Sequence, residues 1–235
     1  AWMLKVQAYY GFQPLTVYLA VNYMDRFLCS HKLPQTNGWP MHLLSVACLS
    51  LAAKMEEPLV PGLLDFQVEC PKYVFESRTI GRMELLVLTA LRWRLRSITP
   101  FSFIDFFAFK LDPSGYFFGN LISRASEIIL SSIKETSFLL YLPSSIAASA
   151  MLCAGSEIPK LSPFTTEHAT SWCDGLSKEN IVGCYQFLRG LAVSNGHRNP
   201  LTADPPIPTR LGTSYATSPH KKRKLNDCSP IDDGD

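Results

Sequence analysis

Apolar residues in the first part of the chain recur at helical intervals. Val17, Ala20, Val21, Met24, Phe27 and Leu28 advance by threes and fours, one stripe of an amphipathic helix. Pro14 sits near its start, where a missing backbone N–H costs nothing, and Ser30-His31-Lys32-Leu33-Pro34 ends it. The next segment, Pro40 to Glu57, differs in kind. Leu43, Leu44, Val46, Ala47, Leu49, Leu51 and Ala52 leave little polar face, and a helix apolar all round is a buried central helix. Ser45 and Ser50 are small enough to bond a preceding carbonyl or to sit at tight helix contacts. Glu57-Pro58 stops the helix, because the residue before proline avoids helical dihedrals.

A loop with a short helix over 61–68 leads to a long predicted helix from Tyr73 to Arg94, built on Ile80, Met83, Leu86, Val87, Ala90 and Leu91. Thr99-Pro100 marks a break, after which the rhythm restarts. Helices are predicted over 101–110, 116–134, a short one around Phe138, 144–154 and 178–191. Each half has a central segment rich in Ala, Ser, Leu and Cys (44–54 and 146–155), without sequence identity between them. No parallel-sheet alternation occurs. The pattern predicts an all-α protein of two packed bundles joined near 97–100. Beyond about Ser194 the character changes: 42 residues hold six prolines and few large apolar groups. Such a tail cannot bury enough surface to offset its ordering entropy, so disorder is expected over 194–235.

Composition narrows the picture. At 235 residues, 47% hydrophobic and 18% charged, the chain has material for one large domain or two small ones and is not disordered throughout. Twenty-two basic against twenty acidic residues give +2, too balanced for a polyanion-binding protein. The seven cysteines (29, 48, 70, 153, 173, 184 and 228) are widely spaced and form no C-x-x-C pair, which reads as reduced cysteines of an intracellular protein. The longest uncharged stretch, Thr136 to Ser156, is split by Pro143 and diluted by serines, so no membrane span is expected. The chain opens Ala1-Trp2-Met3-Leu4 in mid-helix without an initiator methionine, the mark of a piece of a longer protein.

Catalytic chemistry finds no support. No G-x-S-x-G, H-E-x-x-H or Gly-rich phosphate loop occurs, and the five histidines have no nucleophile partner at a recognisable spacing. His168 and Cys173 lack a second pair of metal ligands, so no metal or other cofactor is expected. Arg92, Arg94 and Arg96 alternate around Trp93 and Leu95 as a basic edge near the break. They read either as helix-end charges complementing the dipole or as a nucleic-acid contact. Two charges stand beside dense apolar helices: Lys54, after the uncharged residues 44–53, and Glu84, between Met83 and Leu85. Singly, they are a helix-end lysine and a solvent-facing glutamate. Together, they are a pair of opposite charges at the rim of an apolar docking surface.

Three segments carry a family resemblance. Val21-Asn22-Tyr23-Met24-Asp25-Arg26-Phe27-Leu28 resembles the second helix of a cyclin box. Leu49-Ser50-Leu51-Ala52-Ala53-Lys54-Met55-Glu56-Glu57 resembles the end of its third, and Arg82-Met83-Glu84-Leu85-Leu86-Val87-Leu88 its fifth. With Thr99-Pro100-Phe101-Ser102-Phe103-Ile104-Asp105, the wording is similar to plant D-type cyclins. The resemblance covers about residues 2–193, more weakly in the second half.

It implies two tandem five-helix cyclin-box-like bundles (1–98 and 99–193) ahead of the tail, and a regulatory subunit without chemistry of its own. That subunit would bind and activate a cyclin-dependent kinase at the G1/S transition, in the nucleus, promoting phosphorylation of retinoblastoma-related protein. The alternative is a cyclin-fold transcription-factor or nucleic-acid-binding module. By resemblance, Lys54 and Glu84 would hydrogen-bond the kinase near its mobile αC helix, and Met55, Trp93 and Leu95 would receive an apolar side chain from it. Trp2 matches the tryptophan of a patch that docks substrates and kinase inhibitors, and His42 stands where the family has a glutamine. Asp25 matches an aspartate whose arginine partner would precede Ala1. The L-x-C-x-E motif that binds retinoblastoma-related protein is missing from this sequence. In the tail, Lys221-Lys222-Arg223-Lys224 reads as a nuclear-import run, and Ser218 (in Ser-Pro-His-Lys) and Ser229 as phosphorylation sites.

Overall fold

The computed structural model describes residues 2–34, 36–67, 73–159, 161 and 166–196. These hold nine α-helices and two 3-10 turns and no strand. The first bundle is α1 (Trp2–Tyr10), α2 (Pro14–Ser30), α3 (Trp39–Glu56), a 3-10 turn Asp65–Gln67, and α4 (Ser77–Ala90). The second is α5 (Phe101–Leu111), α6 (Phe118–Ser132), a 3-10 turn Thr136–Leu140, α7 (Pro143–Ser156), α8 (Thr166–Thr170) and α9 (Lys178–Gly196). The tail features Ser218, Ser229 and Lys221 to Lys224 lie outside the described residues.

α3 and α7 are the central helices of their bundles. Eleven of the eighteen α3 residues are buried, and α7 is buried without interruption from Ser145 to Ala154. α2 and α4 pack on α3, and α5, α6 and α9 pack on α7. Large anchors alternate with small residues that let neighbours approach closely: Leu44 and Leu49 among Ala47, Ser50, Ala52 and Ala53, and Met151 among Ala147, Ala148, Ser149 and Ala150. Each fully buried Leu or Met contributes about 1.5–3 kcal/mol relative to exposure. Ser45 returns its hydroxyl to the Met41 carbonyl (2.8 Å), whereas the Ser50 hydroxyl is buried without a hydrogen bond. α3 begins after Gly38, whose φ of +81° places it in the left-handed region that favours glycine.

The two tandem all-α bundles are as expected, and among the described residues the first holds four α-helices and one 3-10 turn. The long helix expected over 73–94 spans only Ser77–Ala90. At its start, the Gln67 side chain takes both backbone groups of Phe75 (Phe75 N to Oε1, 2.6 Å; Nε2 to Phe75 O, 2.9 Å), satisfying in an extended segment the groups a helix would need. At its end, Arg92 and Trp93 adopt positive φ, and their N–H groups close onto Thr89 O and Leu88 O. In the second bundle, the five-residue α8 is too short to show a periodicity and was not expected.

The bundles meet through α2 and α6. Tyr18 packs edge-on against Phe101 with ring centres 5.7 Å apart, and Leu130 and Ile133 lie against the first core.

Candidate functional site: an apolar groove at the end of α3

The last turn of α3 carries Leu51, Lys54 and Met55 on one face, and α4 carries Glu84 and Leu88 one turn apart, because residues three and four apart share a helix face. The two helices cross so that Lys54 Nζ donates to Glu84 Oε1 at 2.6 Å. Glu84 is therefore not the solvent-facing residue that its position alone suggests; it is buried beneath the lysine. A charge this far from water requires a partner, and Lys54 supplies it.

After a turn at 91–93, residues 94–97 follow α4 as a strap without regular secondary structure. Arg26 of α2 pins it, donating from Nη1 to Arg94 O (2.9 Å) and to Ser97 Oγ (3.1 Å), while Ser97 Oγ donates to Asn22 Oδ1 (3.1 Å). The left-handed Arg92 and Trp93 turn the chain into this course at about 1–2 kcal/mol each, since neither is glycine. The result is an open groove of about 680 Å³ lined by Leu51, Lys54, Met55, Leu88, Trp93, Arg94, Leu95 and Arg96. Trp93 is 68% exposed and Met55 39%, so the groove presents large apolar side chains to solvent. Every lining residue belongs to the first bundle or the strap, and among the described residues none of the second bundle lines the groove.

Four of the five residues expected to dock a partner (Lys54, Met55, Trp93 and Leu95) line this groove, whereas Glu84 lies buried beneath Lys54 at its edge. Leu51 and Leu88 complete its floor, and the sequence marks them only as apolar helix positions. Glu57 was also missed. Its Oε1 accepts from the Gln13 N–H (2.7 Å) and the Thr16 hydroxyl (2.5 Å), capping the start of α2 from the end of α3.

Trp2 and His42 also come together, on another face. Their rings meet edge-on with centres 4.8 Å apart, and Tyr73 and Phe75 lie 6.2 and 5.9 Å from His42. Burial pushes the His42 pKa below the usual imidazole range. Burial likewise pushes the Asp25 carboxyl up, and Asp25 lines a small cleft between the bundles with Tyr18, Asn22, Ser132 and Glu135. Among the described residues there is no cluster of three or more His, Cys, Asp or Glu that could hold a metal, and no helix long and apolar enough to cross a membrane.

Comparison with known proteins bears on the family and the fold. Residues 1–96 match the family "Cyclin, N-terminal domain" and residues 98–203 match "Cyclin, C-terminal domain". The chain is 58% identical to Cyclin-D1-1 of Arabidopsis thaliana over 99% of its own length and 73% of the relative's. It is 56% identical to Cyclin-D2-1 of Oryza sativa subsp. japonica, over 86% of the chain and 62% of that relative. It is 39% identical to Cyclin-D3-1 of Arabidopsis thaliana, over 97% of the chain and 57% of that relative. Among solved structures, a viral cyclin from herpesvirus saimiri superposes with a TM-score of 0.70 at 17% identity, covering 82% of this chain and 81% of the other, a likeness of fold. Cyclins are regulatory subunits rather than enzymes, and with two tandem cyclin domains and these relatives the chain belongs to the cyclin family, in its plant D-type branch.

Proposed function

We propose that the chain docks a cyclin-dependent kinase in the groove at the end of α3 and holds that kinase in its active arrangement, promoting the G1/S transition and phosphorylation of retinoblastoma-related protein. The observation that carries this reading is the exposed apolar trough flanked by the Lys54–Glu84 pair. A mobile helix of the kinase would lay an apolar side chain among Leu51, Met55, Leu88, Trp93 and Leu95, with the two charges setting its register.

The mechanism is a population shift: the groove binds the active position of the helix better than the inactive one. Taking a two-state kinase from mostly inactive to mostly active requires about 5.5 kcal/mol of differential binding. One part-exposed ion pair contributes about 0–1 kcal/mol, so the apolar trough supplies most of the difference. The Trp2–His42 aromatic patch, remote from the groove, is proposed to recruit substrates or kinase inhibitors. The basic run Lys221 to Lys224 supports nuclear location, with Ser218 and Ser229 as phosphorylation sites whose charge would oppose import.

The test is reconstitution of the chain with a cyclin-dependent kinase catalytic subunit, followed by kinase activity on a retinoblastoma-related substrate. Trp93 is mostly exposed, so Trp93→Ala leaves the helical fold intact and is expected to lower affinity by about 2 kcal/mol, some thirtyfold. Unchanged affinity and activation would refute this docking face.

A further inference from the structure

The groove that holds the apolar anchors is bordered by cations that the cyclin reading does not use. Three of its lining residues are basic (Lys54, Arg94 and Arg96) and none is acidic. Lys54 is engaged by Glu84, whereas among the described residues no carboxylate lies within ion-pair distance of Arg92, Arg94 or Arg96. All three arginines are exposed. Glu56, which shares a neighbouring cleft with Arg96, forms no ion pair with it, and the other nearby carboxylate, Glu57, is taken up by the start of α2. The backbone bearing the arginines is held by Arg26 and Asn22 through Arg94 O and Ser97. The backbone positions from which Arg94 and Arg96 project are therefore set along one wall of the trough.

Resting on the docking reading above, we infer that the strap arginines Arg94 and Arg96 select the partner by charge: the groove takes an apolar helix whose flanking segment is acidic. An acidic flank meets two unpaired guanidiniums beside a low-dielectric wall, which raises the encounter rate and rejects basic competitors. A polynucleotide is the weaker fit, because the arginines border an apolar trough rather than a polar face and a phosphate backbone would leave Leu51, Met55, Leu88 and Trp93 uncovered.

The experiment uses three fluorescent helical peptides with identical apolar anchors and flanks of glutamate, glutamine or lysine, with a DNA duplex as competitor. Binding to the whole chain is read by anisotropy at low and high salt. The glutamate-flanked peptide is expected to bind about tenfold more tightly than the lysine-flanked one at low salt, with the gap closing as salt rises. The variant Arg94→Ser/Arg96→Ser, at exposed positions, is expected to bind all three alike while keeping its helical circular dichroism. Equal binding of the three peptides to the native chain overturns the inference, as does a preference that survives in the double variant. Displacement of the acidic peptide by the duplex at lower concentration reassigns the rim to nucleic acid. Co-purification with a kinase catalytic subunit is scored separately. Its failure with peptide discrimination intact removes the kinase assignment alone, and its success without discrimination removes the charge selection alone.

Discussion

Lys54 Nζ and Glu84 Oε1 stand 2.6 Å apart across 30 residues of sequence, with the glutamate side chain only 10% exposed and the lysine 44%. The asymmetry makes the two ends of the pair unequal. Truncating the lysine strands a carboxylate that water barely reaches, whereas truncating the glutamate leaves a solvated ammonium.

Lys54→Ala is therefore expected to destabilise the fold more than Glu84→Gln, by about 1 kcal/mol after allowing for solvent on the lysine side. Urea denaturation of both single variants and the double variant closes a thermodynamic cycle with a coupling of about 1 kcal/mol. A coupling of zero would mean that the contact contributes nothing to the fold, and that the pair could not position α3 against α4.

Glu57 joins the end of α3 to the start of α2, accepting from Gln13 N and Thr16 Oγ1. A carboxylate at a helix start answers unsatisfied N–H groups and the positive end of the dipole. Glu57→Ala is expected to cost about 1 kcal/mol, typical of a lost N-terminal cap, with Glu57→Gln recovering part of it because the amide oxygen still accepts. Thermal unfolding of the two variants measures the difference, and an identical Tm for Glu57→Ala and the native chain rules the cap out.

His42 sets a pH dependence. Its folded pKa lies below the ordinary 6.5 because burial penalises the imidazolium. Between the folded and unfolded values the unfolded chain binds more protons, so stability rises with pH through that window. The full contribution is present above about pH 6.5 and is lost as pH falls toward the lowered folded pKa. His42→Gln is expected to lose less Tm than the native chain between pH 7.5 and 5.5. Parallel losses in the two proteins would place the sensitivity elsewhere.

The fold was legible because its signals are local. The stripe from Val17 to Leu28 lies within α2, and the all-apolar 40–57 segment corresponds to α3 within one residue at each end. Where local signals failed, a distant group had intervened. Tyr73 to Glu76 have no helix breaker among them, yet Gln67 holds Phe75 extended. Arg92 and Trp93 contain no helix breaker but leave the helix, where the following strap is tied to α2 by Arg26.

The candidate site was legible in part, and by resemblance more than by physics. Read singly, Lys54 is a helix-end charge and Glu84 a solvated one, and read together they are a pair at an apolar rim; only the cyclin-like wording assigns that rim to a kinase. Leu51 and Leu88 were visible as apolar positions, but nothing local distinguishes a buried leucine in a core from one that floors a groove. Arg94 and Arg96 were visible as a basic edge whose exposure and pairing had no local sign.

The order of residues along the chain by itself determined an all-α protein with two central helices, since an apolar residue every third or fourth position has one low-energy solution in water. Tertiary structure alone decided that Glu84 lies buried under Lys54, that Glu57 caps a helix 44 residues away, and that the strap is pinned by a side chain 68 residues away. Contacts at that separation depend on how whole helices pack, and packing is a property of surfaces that form only once the helices have come together.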